Sequence, residues 1–380
     1  MICFDRDNES ARLWEYFLKG KNILMLAPRR IGKTVLINRL KEESERNGYR
    51  AIVLDVEGFR EEKDFFKQMC TVIQEELGTS AGVLAALTEK LRNIIRGSES
   101  AGGDWRQILL QTDWREFANH LLSHLNNDKE GDPWLVLVDE IPIFSLALIT
   151  THGIERLHDF LYTLRSLRNN YRNIRWLYTG SIGMDTIARR HSIEGALTDL
   201  ETFPLRPFAH DDAATFLNHI AAGNGRHMDL EAAERIIERL GWLSPYYLEK
   251  IADVACNLTC TGQTISLIIA DNAVDAMLGL DKRTYWSTWR EHLNKNFLDP
   301  EQTHLFTILK TVAQSPEGIA SRNTLLSELN RGQTIGDSQL RAYLDTLEAD
   351  GYLVICSDRK GYYRFQMGLL RDWWLRYVAT

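Results

Sequence analysis

Four stretches of the chain, 22–26, 51–56, 134–140 and 174–180, are near-continuous apolar runs of five to seven residues, and a fifth, 201–205, is a weaker one. Runs this short and this apolar predict strands buried on both faces. Between them the pattern changes to helical spacing. Residues 9–19 read as a helix stopped by Gly20, a second helix runs from Lys33 to about Arg46, and Asn47-Gly48 marks a turn. Phe65, Phe66, Met69 and Ile73 recur as one face of an amphipathic helix; residues 78–104 read as interrupted helix, with 97–104 the most loop-like part of the chain. Strands alternating with helices predict an α/β fold with a covered parallel sheet. Pro204 confines the fifth strand to an edge, because proline donates no ladder hydrogen bond. Beyond Pro207 the strand runs stop. Residues 211–295 read as all-helical, opened by an aspartate cap at Asp211 or Asp212. Residues 302–351 give three short helices, and 352–356 with 361–366 give two strand-like pieces around 357–360. Three helices and a hairpin predict a winged helix. The expected division is a core at 1–207, a helical lid at 208–298 and a winged-helix domain at 299–380.

The first strand leads into Ala27-Pro28-Arg29-Arg30-Ile31-Gly32-Lys33-Thr34. This is the phosphate-loop pattern G-x-x-x-x-G-K-[ST] with alanine for the first glycine. Such a loop wraps backbone N–H groups around an anion at a helix N-terminus, here from Ala27 through Val35. Lys33 adds charge over the outer phosphates, the Thr34 hydroxyl holds Mg²⁺, and Gly32 allows close approach of the backbone. Ala27 fits if the strand exit stays extended. The third strand ends in Asp139 and Glu140. Asp139 sits where a Walker B aspartate holds Mg²⁺ through water, and Glu140 can activate a water for attack on the γ-phosphate. Asp139 lies 105 positions past Thr34, which leaves room for an intervening strand. That is the additional-strand class of P-loop ATPases, with expected strand order 5-1-4-3-2. Thr179, Gly180 and Ser181 then fall where a polar sensor meets the γ-phosphate or the attacking water, Ser181 being the candidate.

These motifs resemble the prokaryotic STAND/AAA+-type ATPases of the archaeal-ATPase or origin-recognition-like group. Phe4-Asp5-Arg6-Asp7 resembles the F-x-G-R-E motif that precedes the Walker A strand, with Asp5 in place of glycine. The loop resembles the group's G-P-R-R-x-G-K-T version, and Val138-Asp139-Glu140-Ile141-Pro142 its D-E-I-P form of Walker B. Residues 241–247 resemble the G-x-P-type motif of the helical lid, which implies that Pro245 approaches the adenine. Residues 365–374 resemble the end of the appended winged helix. The likeness spans nearly the whole chain. It implies ATP and Mg²⁺ as cofactors and an ATP-hydrolysing switch, slow or partner-stimulated, in which lid closure moves the winged helix. It also implies signalling, mobile-element or anti-phage settings without choosing among them. The end of strand four lacks the arginine of many relatives. Arg189 and Arg190 end the next helix, either as an arginine finger for a neighbouring subunit or as a solvated basic helix end. Arg29 and Arg30 could contact phosphate, pair with the F-x-G-R-E-like motif, or face a partner.

Composition narrows the partners. The 380 residues carry a net charge of -7, so the molecule as a whole is no generic binder of nucleic acid or anionic membrane. Ten tryptophans argue against disorder. Five scattered cysteines form no disulfide framework, and neither Cys256 with Cys260 nor His120 with His124 has the companions of a metal site. The first residues lack the apolar run of a signal peptide, and no stretch approaches the roughly 20 apolar residues that span a bilayer, so a cytoplasmic protein without a membrane partner is expected. Residues 301–380 hold nine Lys/Arg and nine Asp/Glu, and the expected recognition helix offers Arg341 against Asp345, Glu348 and Asp350. That balance favours a winged helix that packs on its own chain or binds protein over one that reads DNA. The alternatives are an ATP-regulated DNA-binding initiator, with a surface assembled from Arg322, Arg331, Arg341, Arg359 and Lys360, and a nucleotide-binding scaffold with negligible turnover. Trp286 and Trp289 are expected to pack lid against winged helix, and Tyr246 and Tyr247 to lie in the lid core or touch adenine.

Overall fold

A computed structural model describes residues 6–77, 113–128, 131–180, 184–331 and 334–379. The expected interrupted helix at 78–104, Phe4-Asp5 and Ser181 lie outside the described residues. By contact density the chain forms two compact units. One is Met1–Leu26 with Lys33–Leu205, the other Ala27–Gly32 with Arg206–Thr380.

The first unit contains α1 (Asp7–Leu18), β1 (Asn22–Leu26), α2 (Lys33–Glu43), β2 (Arg50–Asp55), α3 (Glu62–Leu77), α4 (Trp114–Asn127), β3 (Trp134–Asp139), α5 (Ile141–His152), α6 (Ile154–Asn170), β4 (Ile174–Gly180), α7 (Met184–Arg190) and β5 (Leu200–Pro204). All five strands are parallel, in the order β2-β3-β4-β1-β5. Read from the other edge, this is the expected 5-1-4-3-2, and the fold is that of a P-loop NTPase. β5 is an edge strand and ends on Pro204, as the missing amide requires. The helical face read from the sequence is real: Phe65, Phe66, Met69 and Ile73 of α3 are all fully buried. Phe65 packs edge-on against Phe66 at 5.3 Å and Phe160 at 5.1 Å, joining α3 to α6 over the sheet. α4 starts on an Asp113 cap, whose carboxylate accepts from the Glu116 amide at 3.0 Å. Register aligns the carboxyl ends of the central strands. Leu26 pairs with Gly180, and Val138 with Tyr178, so Asp139 lies beside Thr179.

The second unit contains α8 (His210–Gly223), β6 (His227–Met228), α9 (Leu230–Leu240), α10 (Pro245–Asn257), β7 (Thr264–Ile265), α11 (Leu267–Ala276), α12 (Arg283–Asn296), α13 (Glu301–Gln314), β8 (Ile319–Ser321), α14 (Arg322–Leu329), α15 (Asp337–Ala349), β9 (Leu353–Ile355), β10 (Tyr362–Phe365) and α16 (Gly368–Tyr377). Two expectations change here. The stretch 211–295 is not all-helical, because β6 and β7 pair in parallel. Helix α8 starts after Ala209, which leaves Asp211 and Asp212 in the first turn, where they favour the helix dipole rather than cap it. The expected hairpin forms from β9 and β10, and β8 joins it in an antiparallel sheet of order β8-β10-β9. Trp286 and Trp289 are buried packing residues. Trp286 stacks on Tyr247 at 4.6 Å, and Trp289 meets Tyr352 at 4.9 Å, so residues from both sides of position 298 share one core. Among the described residues no helix is long and apolar enough to cross a membrane.

Candidate functional site

The phosphate loop leaves β1 at Leu26 and re-enters a helix at Lys33. Two of its residues have left-handed backbone, Arg30 at φ 68° and Gly32 at φ 98°. Gly32 takes that conformation without steric cost, which is why this glycine stays while the first is replaceable. Ala27 is buried and is not among the left-handed residues, so its methyl group carries no backbone penalty. Arg30 does carry one, about 1–2 kcal/mol for a residue with a Cβ. Its guanidinium carbon lies 4.1 Å from the centre of the Tyr246 ring, and its carbonyl accepts a 2.6 Å hydrogen bond from the Ser244 hydroxyl. The Arg30 side chain is thus engaged within its own chain, at the start of α10. Burial and the Asp350 charge push the Tyr352 phenol well above its ordinary value, against the nearby positive charge of Arg29. Pro28 packs at Gly351, where an added Cβ would lie 2.8 Å from the proline ring.

At the ends of β3 and β4 a second cluster forms. Asp139 is buried. Its Oδ2 accepts from the Thr34 hydroxyl at 2.8 Å, and its Oδ1 accepts from the Glu140 amide at 3.1 Å and from the Thr179 hydroxyl. Thr34 and Asp139 are hard oxygen donors facing each other, the donor set that suits Mg²⁺ beside phosphate. Glu140 does not continue the strand. It is the N-cap of α5, left-handed at φ 60° and ψ 37°, which turns its side chain out of the strand's alternation. A glutamate held there is a backbone outlier of the kind that gathers at functional sites.

The other expected residues fall as follows. Lys33 is buried and opens α2, with Val35 half-buried two residues along; Ile31 is buried. Pro245 is the first residue of α10. Tyr247 is buried, and its hydroxyl accepts from Trp289 Nε1 at 2.6 Å, which places it in the core of the second unit. One face of Tyr246 is taken by Arg30. Arg189 and Arg190 are exposed in the last turn of α7. Sequence reasoning missed the bond from Thr179 to Asp139 and the grip of Ser244, Tyr246 and Gly351 on the loop. The first had a signal, because Thr179 already stood among the sensor candidates at the end of β4. The second had none, because it joins residues more than 200 positions apart.

No family model matches the sequence, and a search of curated proteins returns no match. Solved structures do match. A Walker-type ATPase of Pyrococcus abyssi superposes with a TM-score of 0.61 at 17% identity, over 97% of this chain and 95% of its own. The Aeropyrum pernix ORC2 protein, solved as ADPNP-ADP complexes, superposes at 0.56 and 14% identity, over 99% and 95%. At such identities the likeness is one of fold, and it runs the length of each chain.

Proposed function

We propose that this chain is an AAA+-type ATPase that uses ATP binding and hydrolysis as a switch. The observation that carries the reading is the bonded group of Thr34, Asp139 and Thr179, with Glu140 held left-handed beside it. Amides from Ala27 to Val35 would cradle the phosphates at the N-terminus of α2, and Lys33 would neutralise the outer ones. Magnesium, when bound, supplies charge for the phosphate oxygens, and Thr34 and Asp139 are the residues that would hold it. Glu140 would accept a proton from the attacking water, Ser181 would sense the γ-phosphate, and Pro245 would approach the base. The reading assigns 208–298 as the lid and 299–380 as a winged helix that passes the nucleotide state to a partner. The whole-chain likeness to a Walker-type ATPase and an ORC2 protein supports the class. The DNA-binding alternative is weakened by the ion pairs of its candidate cations. Arg322 pairs with Asp337 at 2.7 Å, Arg331 with Glu328 at 2.8 Å and Arg359 with Glu317 at 3.6 Å. The test is magnesium-dependent phosphate release from ATP. Glu140→Gln should bind ATP normally and lose about 10²- to 10⁴-fold in rate, the usual range for a general base. Lys33→Ala should lose nucleotide affinity. Turnover untouched by Glu140→Gln would overturn the assignment.

A further inference from the structure

The phosphate loop owes part of its shape to side chains that lie outside it in sequence. Arg30 is a left-handed residue with a Cβ, so something must hold it there. Two contacts do so from the start of α10: the Tyr246 ring under the guanidinium at 4.1 Å, and the Ser244 hydroxyl on the Arg30 carbonyl at 2.6 Å. Ser244 is fully buried, so its proton has no water to turn to, and the bond is short. Tyr246 is itself fixed, edge-on to Tyr247 at 5.1 Å and to Tyr285 at 6.2 Å. A third contact comes from the turn after α15. Gly351 has φ +81°, and any Cβ there would meet the Pro28 ring at 2.8 Å. Two loop residues, Pro28 and Arg30, are therefore set by Ser244, Tyr246 and Gly351.

We propose that Tyr246 and Ser244 are positioning residues of the phosphate loop, and that through Arg30 they couple phosphate binding to the start of α10. The inference rests on the nucleotide reading given above and names the regulation of that site. The Arg30 side chain is then a strut and not a phosphate ligand; the loop offers phosphate its backbone and Lys33. Thermodynamic linkage makes the coupling reciprocal: whatever fixes Arg30 raises nucleotide affinity, and bound nucleotide fixes 244–246 in return.

The experiment measures ADP affinity of the full chain with magnesium, by calorimetry, for the wild type and for Lys33→Ala, Tyr246→Phe and Tyr246→Leu. Binding that Lys33→Ala abolishes establishes the site; absence of wild-type binding overturns the nucleotide reading and this inference with it. On a working site, Tyr246→Leu removes the π face and should weaken ADP roughly five- to thirtyfold, the range of a partly desolvated cation–π contact. Tyr246→Phe keeps the face and should stay within about twofold of wild type. Where Tyr246→Leu does not fold, Arg30→Gln takes its place with the same expected loss. Saturating ADP should also slow amide exchange in residues 246–248. Wild-type affinity in Tyr246→Leu, equal losses in the Phe and Leu variants, or exchange at 246–248 indifferent to ADP would overturn the proposal while leaving the nucleotide site intact.

Discussion

At the scale of single residues, what could be read in advance is what chemistry restricts to one or two side chains. Gly32, Lys33, Thr34 and Asp139 belong to that set, and Thr34 and Asp139 do meet, at 2.8 Å. What could not be read is which neutral polar group orients the carboxylate, because many residue types can donate to it. Thr179 does so here. It is fully buried, and its hydroxyl donates to Asp139 Oδ1 while Oδ2 faces Thr34. Thr179→Val keeps the shape and removes the donor. A hydrogen bond to a buried charge contributes about 1.5–3 kcal/mol. Part of that loss should appear as a looser Asp139, so the magnesium concentration for half-maximal turnover should rise several-fold, with Thr179→Ser restoring it. ADP affinity without magnesium should stay as in wild type. A magnesium dependence identical to wild type would show that Thr179 is only a buried packing residue. Arg30 is the opposite case: the sequence left its partner open among phosphate, N-terminal motif and another protein, and its ring partner Tyr246 lies more than 200 positions away along the chain.

Elements were legible where they were long. β4 spans the expected 174–180, and β1, β2, β3 and β5 fall within a residue or so of expectation, since continuous apolar runs mark strands buried on both faces. β6, β7 and β8 are two or three residues long, too short to show a period of two, and so they went unread. The junction of β4 with α5 has a constraint that only the folded elements reveal. A Cβ on Gly180 would lie 2.2 Å from Cδ of Pro142, two residues after Glu140. Glycine at the end of β4 therefore makes room for the proline that opens α5. Gly180→Ala should push α5 away from β4, costing about 1–3 kcal/mol as overpacking does. It should also lower ATP turnover, because Glu140 caps the helix being moved. Pairing it with Pro142→Ala removes the opposing ring, and the two changes together should cost less than the sum of each alone. Urea denaturation and phosphate release measure both effects. Strict additivity of the two substitutions would mean that the ring and the Cβ never compete.

At the scale of the whole molecule, the order of parts was legible along the chain but not their allegiance. A phosphate loop reads as one piece with its strand and helix, yet Ala27–Gly32 has its contacts with Arg206–Thr380, while Lys33 onward belongs to the sheet-bearing unit. Contacts at such sequence separation leave no periodic trace, so no reading of local pattern would find them. Assembly is the remaining question at this scale. Arg189 and Arg190 are exposed at the C-terminal turn of α7, a position the helix dipole favours for cations in any protein. Such a position suits either a solvated helix end or a finger that completes a neighbour's site. The two differ in how rate depends on concentration. A finger supplied by a second copy makes hydrolysis per chain rise with protein concentration, and its loss lowers the rate by about 10³-fold or more. A solvated end leaves the rate per chain constant. Glu140→Gln, which should hold ATP without cleaving it, allows the assembled form to be weighed. Light scattering on that variant is expected to show a larger species with ATP and not with ADP. Arg189→Ala or Arg190→Ala should then abolish the concentration dependence in an otherwise wild-type chain. One mass with both nucleotides, together with a rate per chain independent of concentration, would remove the trans role from both arginines, and the switch would have to be completed by a different partner.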